Sequence, residues 1–434
     1  MTSTNPQSTL GPDDEHWTRY LSEIIDTNDA HIASVNSAVR PIESAPFESF
    51  LTPHQIHSNP ELAFEEREAH KTLVSALQKL GFPVIPHAYG VETSFSSEVG
   101  TGGRLIIFNA EYDALPGIGH ACGHNLIASS SFAAFLAVAA ALKESKLPGR
   151  VRLLGTPAEE GGGGKLKLIE AGAYRGAAAS LMLHPGAGYL LKPPIRGVAY
   201  YRMLANIKMR VYFTGREAHA AIEPWNGVNA LDAVCLSYNA VSMLRQQIRP
   251  HERIHGVFPR AGDRPNVVPA DCCVEYYVRS DTKANAEALW QRVLKCFEGA
   301  ALATGCGMRV EPINSYADLR PSVSLCQEYM EAMPKGTVSY NDPPDFLAGS
   351  TDMGNVTYEC PGFHGAFGID TDPGQGNHTK GFAAAAGTRD SYRRAMEAAK
   401  GMAAVGWKVL TDDAFAEVVE YEWKQDMKKA AGVS

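Results

Sequence analysis

The sequence predicts an α/β protein: a mainly parallel sheet covered by helices, interrupted by a smaller ferredoxin-like module. Three observations carry that reading. Short apolar runs alternate with helical stretches as far as residue 184, the apolar period switches near residue 204, and Gly-rich loops with an Ala-rich helix resume after residue 317. Continuous apolar strands separated by helices are what a sheet buried on both faces requires.

The elements follow in order. The opening MTSTNPQSTLGPDDE lacks a basic stretch followed by an apolar core, so it reads as a polar, disordered tail over 1–15 and not as a signal peptide. Helical spacing predicts a helix over His16 to Val39 and a second from Phe64 to Leu80, stopped by Gly81 and Pro83. RLIIFNA is a buried strand ending near Ala110, and LIASSSFAAFLAVAAALKES is an almost wholly apolar helix ended by Pro148 and Gly149. VRLLG, a Gly-rich turn, a short helix to Ala171 and the strand SLMLH complete the first part, 16–203.

In NIKMRVYFT, Ile207, Met209, Val211 and Phe213 alternate with other residues, as in a strand with one solvated face. A helix over Gly227 to Gln247, strands near Ile254 to Phe258 and Cys272 to Arg279, a helix over Ala284 to Ala303 and the strand MRVEPI follow. That strand-helix-strand-strand-helix-strand order defines the inserted module, 204–317. The second part of the sheet domain, 318–434, contains a strand near Gly362 to Ile369 and the helix FAAAAGTRDSYRRAMEAA.

Composition removes several function classes. The 434 residues carry 40 Lys plus Arg against 48 Asp plus Glu, a formal charge of -8, which disfavours a polyphosphate partner and so nucleic acid. The longest apolar run, Ser131 to Leu142, is shorter than the ~20 residues a bilayer span needs. Eight cysteines in a chain of this length make no disulfide framework, so seven of them, all but Cys122, read as reduced thiols of a cytoplasmic protein.

Four stretches carry chemistry. EYDALPGIGHACGHN, Glu111 to Asn125, follows a strand at the sheet edge where open parallel sheets bind ligands. Cys122 and His124 are metal-ligand types flanking Gly123, and Asp113 is placed to orient a ligating imidazole. Taken alone the stretch equally admits a buried Cys with hydrogen-bonded loop histidines. TPAEEGGGGK places adjacent carboxylates, Glu159 and Glu160, at the same edge. Burying both is costly unless cations or protons neutralise them. One would ligate a metal while the other activates a water. GGGGK lacks the P-loop spacing, which argues against phosphate. LMLHPG brings His184 to the end of the third strand, and GQGNHTKGFAAAAGT brings His378 ahead of the Ala-rich helix. Five ligands, Cys122, His124, Glu160, His184 and His378, exceed one tetrahedral zinc and suit two metals sharing a bridging group.

These motifs resemble the dinuclear metallo-exopeptidase and amidohydrolase family of aminoacylase and carboxypeptidase G. HACGHN, PAEEGGGG, LHPG and NHT…AAGT are similar to its branch of auxin-conjugate amidohydrolases, p-aminobenzoyl-glutamate hydrolase and β-alanyl-lysine-type dipeptidases. EYDALPGIGHACGHN and AHAAIEPWNGVNALDA look closest to the dipeptidases. The likeness runs from HSNPELAFEE to the last Ala-rich helix. It implies that the sheet domain is catalytic and that the module is a lid that pairs into a homodimer. It also implies two divalent ions, zinc or manganese, on the five residues named, with Glu159 as general base. His219, in GREAHAA, would polarise the scissile carbonyl, and Asn266 and Arg279 would bind a substrate carboxylate. Glu111-Tyr112-Asp113 lacks the His that other branches carry at the first strand end, and Asn125 stands where many relatives have Asp. The implied reaction is hydrolysis of a small N-acyl amino acid or unusual dipeptide, without nucleic acid or membrane. A thiol-dependent amidase, a metal-free binding protein and a scaffold used for amide formation or acyl transfer are the competing readings.

Overall fold

The computed structural model describes residues 12–36 and 56–432. The chain opens with helices α1 (Pro12–Thr27), α2 (Asp29–Asn36) and α3 (Arg67–Lys79). Strands β1 (Ile85–Pro86), β2 (Phe95–Thr101) and β3 (Leu105–Ala110) lead to α4 (His124–Ser145). Then come β4 (Gly149–Gly155), α5 (Gly164–Glu170), β5 (Ala177–Ala187) and β6 (Gly197–Met203). The smaller unit contains β7 (Ala205–Thr214), α6 (Ala230–Leu244), β8 (Arg253–Arg260), β9 (Asp271–Ser280), α7 (Lys283–Thr304) and β10 (Gly307–Tyr316). The chain returns with α8 (Val323–Ala332), β11 (Val338–Leu347), α9 (Met353–Glu359), β12 (Gly362–Ile369), α10 (Lys380–Ala386), α11 (Arg389–Thr411) and α12 (Asp413–Ala430).

The large sheet has the order β1-β2-β4-β3-β5-β12-β6-β11. Its centre, β4-β3-β5-β12, is parallel, whereas β2 pairs antiparallel with β4 and β6 antiparallel with β12. The centre therefore sends four strand ends, including the last strand in sequence, to one edge. On one face α4 and α11 pack side by side on the sheet, and α1 and α2 also pack on α4, which explains why α4 is apolar all round. By length and hydropathy α4 passes for a membrane span, but it is 94% buried inside the fold. The opposite face is covered by α5 and α9.

The smaller sheet, β10-β7-β9-β8, is antiparallel throughout and carries α6 and α7 on one side. Ile207, Val211 and Phe213 pack against those helices. The intervening side chains, Asn206 and Lys208, project from the other face, towards the large sheet's edge.

Several expectations are corrected in detail. The predicted tail is helical from Pro12, while residues 1–11 lie outside the described residues. The predicted first helix is two, broken at Asn28, whose side chain bonds the Ile24 carbonyl at 2.8 Å; 37–39 lie outside the described residues. Helix α3 starts at Arg67 because Phe64 has φ 64° and the Glu61 carboxylate accepts from the Glu68 and Ala69 amides. The last Ala-rich helix is cut at Gly387, and Thr388 caps the second half by accepting from the Ser391 amide. The sequence pattern does not mark strands β2, β6 and β11. The first is Ser-rich, and β11 is an edge strand containing Pro343 and Pro344, which only an edge position with register shifts tolerates.

Phe132 lies on α4 with no exposed surface. Phe132→Ala is expected to cost about 3–5 kcal/mol through the lost burial and the cavity left behind. A urea unfolding midpoint indistinguishable from the parent's would contradict that placement.

Candidate active site

Each candidate group enters on its own loop at the common edge. Asp113 stands just beyond β3, and Cys122 and His124 flank the start of α4. Gly123 between them has φ 76°, a left-handed conformation, and a Cβ there would lie 2.5 Å from Pro185 Cγ. Only glycine satisfies both demands. The loop after β4 carries Glu159 and Glu160 and closes tightly: a Cβ on Gly164 would sit 1.8 Å from the Pro157 carbonyl oxygen. Glu66 fixes this loop from the far side, accepting from the Ala158 amide and the Thr93 hydroxyl at 2.8 Å each. Burial and the nearby Asp113 push the Glu66 carboxyl up to about 7. His184 stands within β5, and the His378 amide donates to the Ala121 carbonyl at 2.8 Å, which sets that loop against the Cys122 turn.

The side chains converge. Cys122 Sγ lies 3.4 Å from His184 Nε2, and His378 Nε2 lies 3.2 Å from Glu160 Oε1. Asp113 is shared: Oδ1 is 3.0 Å from His124 Nδ1, and Oδ2 accepts from the Glu160 amide at 2.8 Å. That leaves His124 Nε2 buried without a hydrogen bond, 3.5 Å from Glu111 Oε2 and 4.0 Å from Glu160 Oε1. Among the described residues four sets of ligand atoms lie within 4.8 Å of one another: Cys122/His124/His184, Cys122/Glu160/His378, His124/Glu159/Glu160 and Glu111/Glu159/Asp352. The thiol belongs to the first two.

Charge balance in the site is unusual. Burial drives the Glu159 carboxyl well above its ordinary range, reinforced by Glu111, Glu160 and Asp352. For Glu160 burial acts the same way, but the His378 hydrogen bond and the His124 charge outweigh it and hold the group below that range. Burial alone would strip a proton from His124, yet Asp113 holds it well above the imidazole range. Beneath the cluster lies a buried ion triad that sequence reasoning missed. Lys165 Nζ contacts Glu111 Oε1 at 2.5 Å and Asp352 Oδ1 at 2.7 Å, and none of the three has more than 1% of its side chain exposed. The lysine is visible in the sequence as the residue after four glycines, but without a spacing that assigns it a partner. His364 was also missed. It lies on β12, its ring 5.8 Å from that of His184 and its Nδ1 2.5 Å from the Tyr201 hydroxyl. His120 is structural: its Nε2 meets the Ile56 carbonyl at 3.0 Å, and burial first, then His124, push it down to about 3. Asn125 reaches Asn36 Oδ1 at 2.7 Å and the Ala386 carbonyl at 3.0 Å, so it ties helices together and touches no candidate ligand.

The cluster forms the floor of a cavity of 680 Å³ between the large sheet's edge and the lid sheet. Arg279 lines it, donating to Ser350 Oγ at 2.8 Å, as do Lys208, Tyr316, Phe346 and Leu347. Asn266 and His219 do not line it. Both are exposed on the lid, side by side, with the Ala220 amide donating to the Asn266 carbonyl at 3.0 Å.

A parallel sheet edge carrying thiol, imidazole and carboxylate ligands beneath a cavity, with a buried glutamate beside them, is the arrangement of a metal-dependent hydrolase of amide bonds. The chain belongs to peptidase family M20/M25/M40, whose profile matches residues 107–404. It is 38% identical over 386 residues to the Xaa-Arg dipeptidase of Mus musculus, covering 85% of this chain and 87% of that one. The N-acetyl-L-cysteine deacetylase of Bacillus subtilis is 29% identical over 348 residues, covering 73% and 79%. Among solved structures, a dinuclear metal-binding peptidase of the M20 family from Bacillus subtilis shares the fold with a TM-score of 0.59 at 19% identity, covering 91% and 99%.

The triad yields a stability test. Lys165→Met leaves Glu111 and Asp352 buried without their cation, and breaking a buried pair in this way costs about 3–5 kcal/mol. Adding Asp352→Asn to that variant is expected to restore part of the loss. Thermal unfolding of both variants checks this, and an unchanged melting temperature for Lys165→Met would contradict it.

Proposed function

We propose that the enzyme hydrolyses the amide bond of small N-acyl amino acids or dipeptides with a free carboxylate, using two divalent ions held by Cys122, His124, Glu160, His184 and His378. The observation that carries this is the pair of ligand groupings that share Cys122. The residues fit cations on independent grounds: His124 Nε2 is buried with no hydrogen bond, and Glu159 and Glu160 crowd beside Glu111. Thiolate favours zinc, while the carboxylate and imidazoles accept manganese.

When bound, the ions supply Lewis-acid polarisation and a water acidified to near neutrality. The protein's part is positioning and proton transfer. Glu159, at the cavity floor, takes the proton of the attacking water and returns it to the leaving amine. The Tyr316 hydroxyl donates to the Glu159 carbonyl at 2.8 Å and fixes that loop under the lid. Arg279 fixes the substrate carboxylate, since its guanidinium fork matches carboxylate geometry. Asp113 holds His124 in one tautomer.

The lid supports a homodimer. Strand β8 is an edge strand exposed along nearly its whole length, and Tyr238, Met243, Val257 and Phe258 present apolar surface around it. Such edges invite pairing. His219 and Asn266 would then serve the partner's cavity. The eight cysteines, all free, support a reducing compartment.

Three measurements test these assignments. Glu160→Ala and His378→Ala should lose metal, measured by elemental analysis, together with rate, and chelation should abolish turnover. Glu159→Gln should retain metal and lose at least ~10²-fold in rate; near-normal turnover by the metal-replete variant removes it from the mechanism. Inactive His219→Ala mixed with inactive Glu159→Gln should regain activity after subunit exchange, and a fully active monomer in sedimentation would defeat the shared site.

A further inference from the structure

Glu66 is the buried acid that the hydrolytic scheme leaves unused. It stands just ahead of α3 with no exposed surface, and among the described residues no cation is paired with it. Burying an acid without a cation is costly unless hydrogen bonds offset the loss of water. Its two oxygens serve different segments. Oε2 accepts from the Thr93 hydroxyl and Oε1 from the Ala158 amide, each at 2.8 Å. An apolar residue of the same volume would fill the space and hold neither.

Ala158 is the unusual partner. Its φ is 63°, in the left-handed region that a residue with a Cβ rarely adopts. Gly161 and Gly163 of the same loop also have positive φ, 122° and 66°, but glycine carries no such penalty. For alanine the left-handed form is disfavoured about five- to thirtyfold. The very next residue is Glu159, which lines the cavity. The other anchors of the loop act further along. Asp113 Oδ2 accepts from the Glu160 amide, and Tyr316 and Asn314 of the lid donate to the Glu159 and Gly161 carbonyls. The strained residue itself is bonded, through its amide, to Glu66.

We propose that Glu66 is a positioning residue for the reaction: by holding Ala158 in its left-handed turn, it aims the Glu159 carboxyl at the attacking water. Glu66 does not line the cavity and acts only through the backbone of the loop. The inference rests on Glu159 as the general base and names what sets its geometry.

The test uses the full-length enzyme loaded with zinc or manganese. Glu66→Met keeps the volume and removes both acceptors. It is expected to lower kcat by about tenfold to hundredfold, the scale of a small misplacement of a catalytic group, with KM and metal content little changed. Glu66→Gln keeps an oxygen for the Ala158 amide and should lose less. The deciding comparison adds Glu66→Met to Ala158→Gly. Glycine adopts the turn unaided, so the loss in that background should be several-fold smaller than in the parent. An equal loss in both backgrounds, or parental kcat in Glu66→Met, overturns the proposal. If Glu66→Met does not fold, Glu66→Gln in the two backgrounds carries the same comparison. Near-normal turnover by Glu159→Gln marks a failure of the base assignment instead. Hydrogen–deuterium exchange reads the turn without turnover: faster exchange over residues 158–161 in Glu66→Met upholds the hold on the loop, and unchanged exchange overturns it.

Discussion

The structure depends on gathering carboxylates where water cannot reach them. Glu111, Asp113, Glu159 and Asp352 are buried at one sheet edge, with Glu160 nearly so. Isolated, such charges would protonate or unfold the loops that carry them. Lys165 compensates two of them, His124 a third and His378 faces Glu160, which leaves Glu159 at the cavity short of positive charge. The surrounding features serve that arrangement. The glycines allow the loops to pack closely, Glu66 ties the Ala158 turn, and four parallel strands bring candidate ligands from distant parts of the chain to one edge.

Much of this was legible because the chemistry demands unusual residues at places that pattern alone identifies. Cys122, His124, Glu159, Glu160, His184 and His378 each lie near the end of an apolar strand, follow one or sit at or before a helix start. Strand-end logic therefore groups them without knowledge of strand order. The sheet's extent was less legible. Strands β2, β6 and β11 are edge or antiparallel elements, whose polar or proline-bearing sequences lack the run that marks a buried strand. The triad escaped for another reason. Lys165, Glu111 and Asp352 lie far apart in sequence, and a buried ion pair has no spacing rule to find it by. Lys208 is in view as a polar residue within an alternating strand, where solvated is the ordinary reading. Only the closure of the lid over the sheet edge converts that face into a cavity wall.

The lid also explains why two expected site residues stand apart from the rest. His219 and Asn266 lie together on an exposed surface, whereas Arg279 lies on β9 facing inward. Residues of one module thus divide between the chain's own cavity and its outer surface.

Alternation along β7 separates two kinds of selection. Ile207, Val211 and Phe213 hold the lid together, while Asn206 and Lys208, one position out of phase, line the cavity. The second set faces the cavity, and the loops that carry the candidate ligands lie on another sheet altogether. A scaffold divided in this way is well suited to diversification after gene duplication. It also marks a small, contiguous set of positions on β7 and β9 as the place to randomise when a new preference is sought in the laboratory.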